Sequence, residues 1–213
     1  MRTPRRPQVV FCDWHGVLSR SLYWQSITEN PDHPSNSILR DELSRLFTAG
    51  NADGRDWMCG RLSTREILAR ATEYHPHLDI DHLCAQLAAD ITAMPVDQTL
   101  LHALARARDQ VAVVLATDNI TDFATAFHIH ATTPGPTVDD IAATLQSSAV
   151  GFDALLCSSS LGVLKGDDPT GFFGPWLTAA GLTFTDALLI DDNPDNCHAF
   201  AAHGGSTLLV EAR

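Results

Sequence analysis

Four short stretches hold the residues able to do chemistry together. Asp13 follows the apolar run Val9-Val10-Phe11-Cys12 and precedes Trp14, His15 and Gly16. A carboxylate ending a strand buried on both faces needs a partner, and a metal ion or a phosphate-binding group would supply one. Thr117-Asp118-Asn119 closes a second apolar run, where a hydroxyl and nearby amides can hold a phosphoryl oxygen. By residue type alone Thr117 is equally a helix N-cap. Lys165 is the single lysine among 14 basic residues, the others being arginine. That singles it out for a task suited to a compact ammonium, against the default of a solvated surface lysine. Asp191-Asp192 ends a third apolar run, Ala187 to Ile190, and is followed by Asn193-Pro194-Asp195-Asn196. Adjacent carboxylates repel unless a cation neutralises them, and oxygen ligands completed by water and a substrate phosphate suit Mg²⁺. Pro194 also marks the first position of a helix.

The elements that must position these residues alternate. Strands are expected over 8–13, 111–116, 154–157, 187–190 and 207–210, with helices over 97–108, 121–127, 170–180 and 194–202. That alternation predicts an α/β fold with a doubly wound, parallel, five-stranded Rossmann-like sheet, whose ligands lie at the carboxyl ends of the strands. From residue 19 to 95 strand signals fade. A helix is expected over 37–47, a turn over 51–54, a capping box at Ser63 and Glu66 opening another helix, and a further helix over 80–91. We expect a small all-helical cap over 19–95, inserted into a core made of 1–18 and 96–213. A loop over 132–136 and a short helix over 138–145 lie in a segment, 129–150, without an assigned role.

In this order and on these elements, the stretches resemble the four motifs of the haloacid dehalogenase (HAD) superfamily. Asp13-Trp14-His15-Gly16-Val17-Leu18 is similar to the first, with His15 where the family has a second aspartate. Thr117 stands as the second. Leu161-Gly162-Val163-Leu164-Lys165-Gly166-Asp167 is similar to the third, with Gly166 for a proline. Asp191-Asp192 through Asn196 follows the fourth. The segment from Trp57 to Ile67 resembles the cap of the small-helical-cap phosphatases, among them bacterial sugar-phosphate phosphatases and the phosphatase domain of soluble epoxide hydrolase. The resemblance implies that Asp13 attacks phosphorus, forming an aspartyl phosphate that water hydrolyses. It implies His15 as acid and base, Lys165 as the charge on nucleophile and phosphate, and Thr117, Asp118 and Lys165 around the phosphate. It implies Mg²⁺ held by Asp13, the backbone carbonyl of His15 and Asp192, with Asp191 nearby. Two alternatives stay open: a low-turnover ligand-binding or regulatory protein, and a dehalogenase or phosphonate-cleaving hydrolase. Against the latter stand the Asp191-Asp192 pair, which metal-free dehalogenation does not need, and a cap without lysine.

Composition bounds the rest. A chain of 213 residues, 45% hydrophobic and 19% charged, has the makeup of a globular protein. A net charge of −12 argues against nucleic-acid partners, and no apolar run reaches membrane-spanning length. Arg2, Arg5 and Arg6, broken by Pro4 and Pro7, make too short a run for a transit helix. Five scattered cysteines read as reduced, mostly buried thiols of a cytoplasmic protein. His75, His77 and His82, and His128 with His130, have loose metal-ligand spacing but no converging cysteines or carboxylates. Trp24 and Trp57 are read as cap core. The expected partner is a small phosphorylated metabolite, with neither nucleic acid nor membrane.

Overall fold

The computed structural model describes residues 6–132 and 151–211. The helix expected over 138–145, most of the loop before it, and Arg2 and Arg5 lie outside those residues. β1 (Val9–Cys12) is the middle strand of a five-stranded parallel sheet. β2 (Ala112–Thr117) and β3 (Ala154–Cys157) extend it on one side, β4 (Ala187–Asp191) and β5 (Ser206–Leu209) on the other, in the order β3-β2-β1-β4-β5. Cys12 is in register with Leu115 and Ile190, so the residues just beyond it meet the ends of both neighbours. The chain leaves β1 in one direction first and in the other later, and ligands bind at such a reversal.

Alternation of side chains explains the continuous apolar runs. Val9 and Phe11 face one layer, with Phe172, Phe173 and Phe200, while Val10 and Cys12 face the other, with Leu101, Leu104 and Phe123. Both faces of β1 are buried, as its run of four apolar residues requires. β5 is exposed along its length and forms an edge.

Between β1 and β2 the chain is helical. It forms α1 (Gln25–Thr28), α2 (Asn36–Leu46), α3 (Ala52–Met58), α4 (Thr64–Ala71), α5 (Ile80–Thr92) and α6 (Gln98–Ala107). The capping box at Ser63 and Glu66 opens α4 as expected. Composition suggested a turn at 51–54, but Asn51 instead accepts a hydrogen bond from the Gly54 N–H and starts α3. Asparagine serves turns and N-caps by the same side-chain acceptance, so the two readings share one signal. After β2 come α7 (Thr121–Thr132), α8 (Ser158–Leu161), α9 (Pro169–Ala179) and α10 (Pro194–Ala202). The residues buried by α2 to α5, including Leu39, Trp57, Ile67 and Leu87, belong to the same apolar cluster as the Val10 face of the sheet. Trp24 and Trp57 are both buried there, with ring N–H groups bonded to the Leu83 carbonyl and the Thr64 hydroxyl. Among the described residues, no helix is long and apolar enough to cross a membrane.

Candidate active site

Lys165 is the hub of the site. Only 1% of the residue is exposed, so it is not a solvated surface lysine. Its ammonium lies 2.9 Å from Asp13 Oδ2 and 2.6 Å from Asp191 Oδ2, and it donates to the Ala116 carbonyl at 3.2 Å. These three acceptors stand at the carboxyl ends of β1, β4 and β2. A guanidinium is planar and larger, and one ammonium bonding three converging oxygens is a point-charge arrangement. The Asp118 carboxylate, at the mouth of the β2 turn, accepts the Lys165 backbone N–H at 3.0 Å and so fixes where the side chain begins.

Asp191 is fully buried and fully used. Beyond Lys165, its Oδ1 accepts the Asn193 N–H at 2.9 Å and the Asn196 amide at 3.1 Å. Asp192, next in the chain, turns the other way. Its Oδ2 lies 1.8 Å from where a Cβ on Gly16 would sit, so the carboxylate rests against the Gly16 backbone, one peptide from the His15 carbonyl. Gly16 has a φ of +78°, a second reason for glycine there. Oxygens of Asp13, Asp191 and Asp192 lie within 4.8 Å of one another, the only such group of potential metal ligands among the described residues. The histidines at 75, 77 and 82 line a surface pocket without converging in this way. The side chains of His128 and His130 lie outside what is described.

Charge and burial act together on these groups. Burial pushes the Asp13 carboxyl above the ordinary carboxylate range, Lys165 pulls it back, and Asp191 raises it again. Burial alone would lower the Lys165 ammonium, but Asp13, Asp191 and Asp118 outweigh it and hold the pKa above the usual lysine value. With three carboxylates to one ammonium, the cluster has an excess of negative charge that a divalent cation would offset. Oxygen-only donors at this separation fit Mg²⁺ in type. His15, whose ring is exposed at the cavity, has its pKa lowered by partial enclosure, against the opposing pull of Asp192.

Thr117 is the last residue of β2, and α7 starts only at Thr121, so it does not open that helix. Its Oγ1 is buried without a hydrogen-bond partner among the described residues. An orphaned hydroxyl costs free energy in a folded protein. This one ends a strand beside Ala116, whose carbonyl bonds Lys165.

Asp13, His15, Asp118, Asp192 and Asn196 line one cavity of about 390 Å³. The helical segment supplies much of the remaining wall through Leu22, Tyr23, Phe47, Met58 and Met94. Tyr23 ties that segment to the sheet: its hydroxyl donates to Asn119 Oδ1 at 2.5 Å. Nearby, Ser158 Oγ donates to the Met58 carbonyl at 2.6 Å. Local motifs signalled the carboxylates, the lysine and Thr117. Tyr23, Phe47, Met58 and Met94 carried no such signal, because only the fold brings them to the site.

No family model matches the chain, and no curated protein does. Solved structures do. A HAD-family enzyme from Bacteroides thetaiotaomicron, in complex with magnesium and inorganic phosphate, superposes with a TM-score of 0.69 at 17% identity, over 97% of this chain and 95% of that one. A predicted HAD-like family hydrolase from Porphyromonas gingivalis gives 0.68 at 15% identity, over 98% and 93%. The L-2-haloacid dehalogenase from Xanthobacter autotrophicus, with chloropropionic acid covalently bound, gives 0.64 at 15% identity, over 96% and 77%. At these identities the likeness establishes the fold, which is that of HAD-family enzymes.

Proposed function

We propose that this chain is a Mg²⁺-dependent hydrolase that removes phosphate from a small phosphomonoester through an aspartyl phosphate on Asp13. The observation that carries the reading is the Lys165 ammonium held between Asp13 and Asp191, with Asp192 turned away from it and Thr117, whose Oγ1 has no partner among the described residues, next in the chain to Ala116, whose carbonyl also bonds Lys165. That arrangement offers a carboxylate nucleophile, a charge for a phosphoryl oxygen, a free hydroxyl donor and a place for a cation. A fold neighbour described in complex with magnesium and inorganic phosphate supports it. In the same reading α1 to α5 form the cap, and the partner is a small phosphorylated metabolite.

The steps assign a role to each residue. Asp13 attacks phosphorus, the ester oxygen leaves with the bond's electron pair, and a proton reaches it from His15 or from solvent. Lys165 favours the ionised nucleophile against the opposing effect of burial and draws in the phosphoryl oxygens. Thr117 Oγ1 donates to one of them, and Asp118 holds Lys165 in place through its backbone. Mg²⁺, held by Asp13, the His15 carbonyl and Asp192 with Asp191 behind, would supply positive charge against the repulsion of two anions. Water then attacks phosphorus and gives its proton to His15, restoring Asp13. A His15 pKa below the ordinary imidazole value makes the neutral ring a base at pH 7 and a poor acid. Hydrolysis of the intermediate is the better-assisted half.

Phosphate release over a panel of phosphorylated metabolites, with Mg²⁺ and with EDTA, tests the reading. Turnover that needs Mg²⁺ and disappears in Asp192→Ala is expected. Halide release from haloacids that ignores EDTA would instead select the dehalogenase reading, which a second fold neighbour keeps open. No phosphate release on any substrate would leave the low-turnover binding reading.

A further inference from the structure

The reacting end of the cavity is polar and acidic, and the rest of its wall is mostly apolar, with Ser21 and Asn119 as polar exceptions. Leu22, Tyr23, Phe47, Met58, Met94 and Trp14 supply that wall. Leu22 is 52% and Phe47 49% exposed, two of the few large apolar side chains left open to solvent among the described residues. Phe47 is held in place by rings: Tyr23 stacks on it at 6.2 Å and Trp57 lies 6.3 Å away. Its exposure is therefore a fixed feature of the wall. Met58 and Met94 add flexible, polarizable surface that adapts to hydrocarbon of varied shape.

Charge argues the same way. No lysine or arginine among the described residues lines this cavity, and Lys165 lies behind Asp13, its charge shared between Asp13 and Asp191. Tyr23 and Asn119, two polar residues on the wall, are bonded to each other. Arg40 lines only an adjoining cleft of about 420 Å³, which shares Leu22, Tyr23 and Phe47. A second anionic group would meet no cation among the described lining residues, and a row of hydroxyls would meet few polar side chains beyond Ser21 and Asn193, at a cost in desolvation.

We propose that the substrate's body is apolar and uncharged, an alkyl or arylalkyl phosphomonoester rather than a sugar phosphate or a nucleotide, and that Leu22 and Phe47 select it. This rests on the reading of Asp13 and its neighbours as a phosphoryl site. The volume suits a body of a few carbons beside the phosphate.

Alkylphosphonates cannot be hydrolysed and so separate binding from turnover. Titrating the full-length, Mg²⁺-supplied protein calorimetrically with ethyl-, butyl- and hexylphosphonate should show affinity rising about fourfold per methylene until the cavity is filled. Phe47→Ala and Leu22→Ser should each flatten that dependence, weakening hexylphosphonate about tenfold more than ethylphosphonate. Equal affinity along the series, or tighter binding of a polyhydroxylated pentylphosphonate than of pentylphosphonate, overturns the proposal. The two readings fail separately. A rising series with no phosphate released from any alkyl phosphate keeps the apolar selectivity and removes the hydrolase. Equal hydrolysis of alkyl and sugar phosphates keeps the hydrolase and removes the selectivity.

Discussion

Thr117 buries a hydroxyl that has no partner among the described residues, and Lys165 spends its charge on two carboxylates at once. The two residues separate function from stability. Thr117→Val keeps the shape and removes an unsatisfied group, so stability in urea should hold or rise by up to about 1 kcal/mol while phosphate release falls at least tenfold. Loss of stability would mean that the hydroxyl has a structural partner. Lys165→Met leaves buried carboxylates unpaired and should cost about 3–5 kcal/mol at neutral pH. With the ammonium gone, Asp13, already raised by burial, shifts further up. A carboxyl raised in the folded state keeps its full stability below its unfolded pKa and loses it as pH rises through the folded one. The penalty of Lys165→Met should therefore shrink on acidification, measured as urea midpoints against pH. For His15 the pKa is lowered from 6.5, so its base function should switch on as pH rises through a midpoint below that value. His15→Ala should lose that limb of the rate profile and slow intermediate hydrolysis by about 10²–10⁴-fold. An unchanged profile would make the ring a bystander.

Elements fix how these residues meet. Gly60, just past α3, has a φ of +70°, and a Cβ there would lie 2.3 Å from the Ser159 backbone carbonyl in α8. The left-handed backbone alone costs an alanine about 1–2 kcal/mol, and the clash would push the helical segment off the sheet. Gly60→Ala should therefore lower both stability and turnover, seen in a thermal melt and a rate assay run together. An unchanged melt would show that this seam is not tight. The strands were legible because β1, β2 and β4 are apolar runs closed by polar residues, and the Ser63 capping box named a helix start. The helices α1 and α8 were not, since four residues are too few to show a period. The site followed the same rule. Asp13, Lys165, Asp191 and Asp192 sit in local motifs, whereas Tyr23 meets Asn119 across 96 residues of chain, a contact only the sheet order creates.

On the scale of the whole molecule, one feature organises the rest: a parallel sheet whose middle strand leads into Asp13, beneath a wall of helices lined with apolar side chains. The carboxyl ends of the strands gather three carboxylates and one ammonium, and the helical segment closes a cavity of about 390 Å³ over Asp13 and Asp192, with Asp191 and Lys165 behind them. A net charge of −12 adds no long-range attraction for an anionic substrate, so local groups must recognise it. The central claim is that Asp13 becomes phosphorylated. A single turnover with Mg²⁺ and a substrate from the panel, quenched with borohydride, reduces an acyl phosphate to the alcohol at the modified residue. Peptide mass spectrometry should then find homoserine at position 13 in the parent and none in Asp13→Asn, which should also release no phosphate. Phosphate release accompanied by an unmodified Asp13, or continuing in Asp13→Asn, would contradict the account.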